Sequence, residues 1–144
     1  MAVLLVRHAK AGDSDTWAPP DDLRPLTAGG EAQAQALVNL LADFEIVRVL
    51  SSPYLRCAQT VAPLAAALDL AVEPSDDLAE GQGPAALVLA RSLVVAAGHT
   101  VLCTHGDVVE EVLDGLGVGR DDGTRKGATW VLDGDGARHL PPPH

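Results

Sequence analysis

Two short apolar runs in this chain end on a histidine. VLLVRH sets Arg7 and His8 directly after Val6, and VLCTHG sets His105 after Thr104. A third segment, SSPYLRCAQT, offers Ser52 and Pro53 as an N-cap and first-turn pair. It thereby places Arg56 about one turn from a helix N-terminus, where peptide dipoles favour an anion. In an open parallel sheet, loops and helix N-termini converge beyond the carboxyl ends of the strands, and ligands collect there. Arg7, His8, Arg56 and His105 could therefore share one pocket. Two guanidinium forks match phosphate oxygens in pairs, so this set suits a phosphoryl group. One imidazole could attack phosphorus while the other donates to an equatorial oxygen, which combines nucleophilic catalysis with electrostatic stabilisation of the transferring group. The plainer alternative is a pair of hydrogen-bonded histidines at strand ends and a helix-surface arginine.

The elements that must position these residues are legible from periodicity. Val3 to Val6 form an apolar strand. Residues 11–27, AGDSDTWAPPDDLRPLT, hold three prolines and five charged residues with no period, which is loop chemistry. Thr27 stands as an N-cap, and Leu37, Leu40, Leu41 and Phe44 recur at helical spacing behind it. EIVRVLSS reads as a second strand. The helix after Ser52 reaches to about Leu68, and Pro63 inside it should kink or divide it. LAVEP is a short third strand, with Leu78 and Glu80 on the loop that follows. A helix from Pro84 to about Ala97 is closed by Gly98. TVLCTHG is a strand, DVVEEVLDGLG a helix, and ATWVL the last strand before a tight turn at DGDG. Residues 138–144 are expected as an extended tail. Alternating strands and helices, with strands apolar on both faces, predict an α/β fold: a three-layer α/β/α sandwich around a mostly parallel central sheet.

At 144 residues the chain is expected to be one domain, 1–144. Apolar residues make up 47% but aromatics only 3%, so the core must be packed from Ala, Val and Leu. A net charge of -10 repels nucleic acid and anionic membranes, which removes both as expected partners. The apolar start is too short for a signal peptide or a membrane span, so the expected location is cytoplasmic. Cys57 and Cys103 lack metal or redox spacing and read as buried, reduced thiols. His99, His139 and His144 read as loop and tail residues, and Trp17 and Trp130 as packing residues. No spacing suggests zinc.

VRHAKAG, SSPYLRCAQT, LAEG and VLCTHGDVV, in this order, resemble the histidine phosphatase superfamily, the phosphoglycerate-mutase-like enzymes. The resemblance runs from Val3 to about Val109, with a weaker match at RKGATWVL, 125–132. It implies that His8 is the nucleophile that becomes phosphorylated and that Arg7, Arg56 and His105 bind the phosphoryl group. Glu80, in DLAEG, matches the acid that protonates the leaving group and later activates water. That role needs a raised pKa, which burial beside carboxylates or apolar groups would supply. No metal or other cofactor is implied. The first motif reads RHA where many members have RHG, and there is no room for the long insertions that cover the pocket in mutases. The chain is therefore most similar to small SixA-type phosphohistidine phosphatases and to the phosphatase domain that some bacteria fuse behind a Nudix hydrolase.

The expected partner is thus a phosphorylated substrate, either a protein phosphohistidine or a nucleoside polyphosphate. Phosphoglycerate-mutase-type transfer and a non-catalytic phosphate-binding module are the alternatives. Lys10, Arg24, Arg125 and Lys126 could contact the rest of the substrate or simply be solvated.

Overall fold

The structure, a computed structural model, describes residues 2–119 and 124–143; His144 lies outside them. β1 (Val3–Arg7) is central, between β4 (His99–Thr104) and β5 (Thr129–Asp133). The six strands run in the order β3-β2-β4-β1-β5-β6, where β2 is Ile46–Ser51, β3 is Val72–Pro74 and β6 is Gly136–Leu140. β3, β2, β4 and β1 are mutually parallel, and β5 runs antiparallel to both β1 and β6.

Both faces of the sheet are covered, as the apolar strands require. Leu4 and Val6 of β1 face α1 (Ala28–Leu40) and α2 (Leu55–Ala67), in one cluster with Val49, Val61, Leu64 and Val101. Val3 and Leu5 point the other way, toward α3 (Gly83–Val94) and α4 (Gly106–Gly115), with Leu102, Val109 and Leu113. Successive residues alternate faces along a strand, so near-continuous apolar runs fill two cores at once. Trp130 is buried in the second cluster.

Register then brings the strand ends together. Arg7 pairs with Thr104, and Ser51 with Cys103, so β1, β4 and β2 terminate at one edge. The His8 N–H donates to the Thr104 carbonyl at 2.9 Å, and the Ser52 N–H to that of Cys103 at 2.9 Å. His8, Ser52 and His105 are neighbours because three parallel strands stop at the same level.

Three expectations are corrected. Helix α2 starts at Leu55, not Ser52: Ser52 Oγ accepts from the Tyr54 N–H at 3.2 Å but makes no cap. Its hydroxyl is instead used by His105. Pro63 does not divide α2, which runs unbroken to Ala67. A helix-interior proline costs about 3 kcal/mol, and full burial of the flanking Val61 and Leu64, about 1.5–3 kcal/mol each, offsets it. Finally, residues 138–140 belong to β6 rather than to a tail. Asp133 Oδ1 accepts from the Asp135 and Gly136 N–H groups, closing a hairpin that pairs Trp130 with His139 and Thr129 with Leu140. β6 is mostly exposed, so it shows no apolar pattern in sequence. Pro141 follows where pairing stops, consistent with its missing N–H. Among the described residues, no helix is long and apolar enough to cross a membrane.

Candidate active site

His8 leaves β1 and is 5% exposed. Its Nδ1–H donates to the Ala9 carbonyl at 2.8 Å, which leaves the Nε2 lone pair free. Burial holds the imidazole down to a pKa of about 3; the Ala9 hydrogen bond opposes this, while Arg56, His105 and Arg7 reinforce it. A neutral imidazole with an available Nε2 is the form a nucleophile needs. Thr60 fixes the next residue, accepting from the Ala9 N–H at 2.9 Å and donating to the Arg56 carbonyl at 2.7 Å.

His105 occupies the N-cap position of α4. Its Nε2 lies 2.9 Å from Ser52 Oγ and 3.6 Å from Cys57 Sγ. Its ring meets that of Tyr54 edge-on at 4.6 Å and that of His8 at 5.6 Å between centroids. An Arg56 N–H reaches His105 Nδ1 at 3.4 Å, a loose contact.

Arg56 is 2% exposed, and a cation so buried needs partners. It donates to the Asp21 carbonyl at 2.9 Å and to Asp21 Oδ2 at 3.0 Å, and lies 3.6 Å from Glu80 Oε2. Arg7 donates to the Thr124 carbonyl at 2.7 Å. Burial lowers its pKa, against Glu110 and Asp107, which raise it. The Nε atoms of Arg7 and Arg56 are buried without a hydrogen-bond partner among the described residues. Unpaired guanidinium donors beside a neutral imidazole make a site for an anion.

These residues line one cleft of about 550 Å³. It brings together Arg7, His8, Arg56, Glu80 and His105, and adds Arg24 and Lys126 at its margin. Glu80 is half exposed on the rim and faces Arg56, so the apolar or carboxylate burial expected for it is not what surrounds it. Its turn is anchored by fully buried Leu78 and by a Gly81 N–H bond to Asp107 Oδ2 at 2.9 Å. Arg24 is held by Asp21 and by the Gly12 carbonyl, which commits it to organising loop 11–27. Lys10 and Arg125 lie outside the cleft, on a neighbouring cavity.

Sequence reasoning missed Asp21, Ser52, Thr60 and Gly106. For Asp21 no local signal existed, since it sits in an aperiodic loop. Gly106 had one: a glycine directly after a site histidine. A Cβ there would stand 2.7 Å from Arg7 Cζ and 2.9 Å from its Nε. Gly106→Ala should therefore push the Arg7 guanidinium aside, raising KM for a phosphoryl substrate by about tenfold with little change in Tm. Steady-state kinetics alongside thermal unfolding checks this, and an unchanged KM would contradict it.

Both cysteines are buried free thiols, as expected. Against the effect of burial, hydrogen bonds with Cys103 and His105 lower the Cys57 pKa, while burial raises that of Cys103. The Cys57 thiol lies against His105. His99 meets Phe44 edge-on, and His139 packs on Trp130, away from the cleft.

The family model of the histidine phosphatase superfamily, branch 1, matches residues 3–84. The chain is 37% identical over 155 residues to the 8-oxo-(d)GTP phosphatase of Mycolicibacterium smegmatis, covering 98% of this chain and 48% of that protein. It is 39% identical over 72 residues to the phosphohistidine phosphatase SixA of Escherichia coli, covering 49% of this chain and 43% of that protein. The chain thus spans about half or less of the length of these curated relatives. Among solved structures, one from Agrobacterium tumefaciens assigned to SixA aligns with a TM-score of 0.78 at 27% identity, covering 98% of this chain and 97% of that one. A protein histidine phosphatase SixA complexed with tungstate aligns with a TM-score of 0.76 at 23% identity, covering 99% and 96%, which supports the shared fold.

Proposed function

Because this chain belongs to the histidine phosphatase superfamily, we propose that it is a metal-independent phosphatase working through a phosphohistidine on His8. The observation that carries this reading is the neutral His8 imidazole, its Nδ1–H held by Ala9 and its Nε2 unprotonated, among the cations of one cleft.

In the first step His8 Nε2 forms a bond to phosphorus as the bond to the leaving atom breaks, an oxygen in a nucleotide and an imidazole nitrogen in a phosphohistidine. The Nδ1–H bond to Ala9 keeps the ring oriented and receives the positive charge that develops on it. Arg7, Arg56 and His105 hold the equatorial oxygens. A phosphoryl oxygen would enter between Arg56 and His105 in the tautomer whose Nδ1 carries the proton, with Nε2 accepting from the Ser52 hydroxyl. Glu80, on the rim, gives a proton to the leaving atom. It then takes one from the water that attacks phosphorus and breaks the P–N bond. Both named relatives act on phosphorylated compounds by their names, one a nucleotide and the other phosphohistidine. The substrate class proposed here is accordingly a nucleoside polyphosphate or a phosphorylated protein histidine.

Incubation with p-nitrophenyl phosphate and, separately, with 3-phosphoglycerate tests the reaction type. Phosphate release should dominate; isomerisation of 3-phosphoglycerate faster than phosphate release would replace hydrolysis with mutase chemistry. Glu80→Gln should slow substrates with poor leaving groups by about one hundredfold or more and activated esters far less. A small, uniform loss across leaving groups would take Glu80 out of the proton transfers.

A further inference from the structure

A second cavity, about 920 Å³, adjoins the cleft and shares Ala11 and Lys126 with it. Its cations are Lys10, Arg125 and Lys126, and no acidic residue lines it among the described residues. That is unusual in a chain with twenty acidic residues and net charge -10, and it contrasts with the cleft itself, where Asp13, Glu80, Asp107 and Glu110 balance the cations. Thr27 and Gln33 are its uncharged polar residues, and the rest of the wall is small or apolar, including Ala32 and the Pro141 to Pro143 segment that follows β6.

Backbone hydrogen bonds fix where Lys126 and Lys10 leave the chain, and their side chains are exposed. The Arg7 N–H donates to the Ala128 carbonyl, and the Gly127 N–H to the carbonyls of Arg7 and His8 at 3.1 Å, which pins Lys126 at the junction of the two cavities. Gly127 makes that turn at φ 86°, a left-handed conformation that favours glycine. Lys10 is fixed through its N–H, which donates to Gln33 Oε1 at 3.0 Å, and its carbonyl, which accepts from the Thr27 N–H at 3.0 Å. Burial and the proximity of Arg7, Arg24 and Arg56 weaken the hold of Lys126 on its proton, so an anion at the junction would relieve several repulsions at once.

We infer that this cavity is the leaving-group subsite, and that it takes the second phosphate and the nucleoside of a nucleoside polyphosphate. The inference rests on the phosphatase reading of the cleft and selects between its two substrate classes. With the terminal phosphoryl group at His8, the adjacent phosphate lies at Lys126, within the field of Lys10 and Arg125. Sugar and base run along the alanine and proline wall. The bond between terminal phosphorus and bridging oxygen breaks as the His8 Nε2 to phosphorus bond forms, and the oxygen departs on the shortened nucleotide with the proton from Glu80, while Lys126 faces the phosphate that carries it. Water then frees inorganic phosphate. The imidazole that leaves a phosphohistidine carries no second phosphate to set at the junction, whereas a nucleoside polyphosphate places one there.

The test compares phosphate release from GDP, GMP, p-nitrophenyl phosphate and a phosphohistidine peptide by the full chain and by Lys126→Ala, Arg125→Ala and Arg125→Lys. GDP should exceed GMP in kcat/KM by about one hundredfold, and each alanine variant should lower the ratio of GDP to p-nitrophenyl phosphate by about tenfold. Arg125→Lys should recover part of that ratio, which a folding defect would not do. Equal losses on both substrates, or a phosphohistidine peptide preferred over GDP, would overturn the subsite while leaving the phosphatase standing. Release from none of the four substrates would instead remove the phosphatase reading beneath it.

Discussion

His8→Ala should lower kcat/KM for phosphate release by about ten thousandfold or more and abolish the acid-labile phosphoenzyme that the proposed mechanism requires of the wild type. Removing a covalent nucleophile leaves only binding and electrostatic contributions, and these give a small residual rate. The phosphoenzyme is read by rapid quench with labelled substrate. A His8→Ala protein that still accumulates the adduct would place the nucleophile elsewhere. The same substitution carries a signature in stability. Folded His8 resists protonation until about pH 3, whereas in the unfolded chain it takes a proton near the ordinary 6.5. Between those values the unfolded state binds more protons, so wild-type stability falls as pH drops from about 6.5 toward 3. His8→Ala should flatten this slope by an amount on the order of a few kcal/mol, measured by urea unfolding at pH 7 and pH 4.5.

Arg56→Lys should cost about one hundred- to one thousandfold in kcat, although charge is retained. The guanidinium reaches Asp21, Glu80 and His105 together from a fully buried position, and an ammonium on a single stem cannot reproduce that fork. Arg56→Ala should lose at least as much activity and also lower Tm, because Asp21 would keep only Arg24 as its partner and loop 11–27 would be tied to α2 by the Leu26 N–H to Gln59 bond without the Asp21 contact. Kinetics and thermal unfolding of both variants, beside Asp21→Asn, separate the two roles. Wild-type kcat in Arg56→Lys would show that phosphoryl binding needs charge there and no particular geometry.

The strands and helices were readable because their signals are local. Val3 to Val6 is apolar at every position, Thr27 caps α1 through the Gly30 N–H at 3.1 Å, and glycines or prolines mark most ends. Where reading failed, a tertiary contact had overridden a local preference. Ser52 looked like a cap, yet its hydroxyl is taken by His105 across the sheet edge. Pro63 looked like a break, yet the packing of α2 against β2 and α1 keeps the helix whole. β6 escaped notice since a mostly exposed edge strand needs no alternation of apolar residues.

By itself, then, the sequence determined the order of elements up to β5, a mostly parallel sheet with two covered faces, and four residues at strand and helix ends suited to a phosphoryl group. Only the tertiary structure decided that Asp21 holds Arg56, that Glu80 sits on an open rim, that Gly106 makes room for Arg7, and that Lys126 joins two cavities. The reason is physical. Periodicity and terminators act over a few residues and survive in any window of the chain, whereas partners across loops are chosen by the path of an aperiodic backbone, which is set only once the packed sheet has placed its ends.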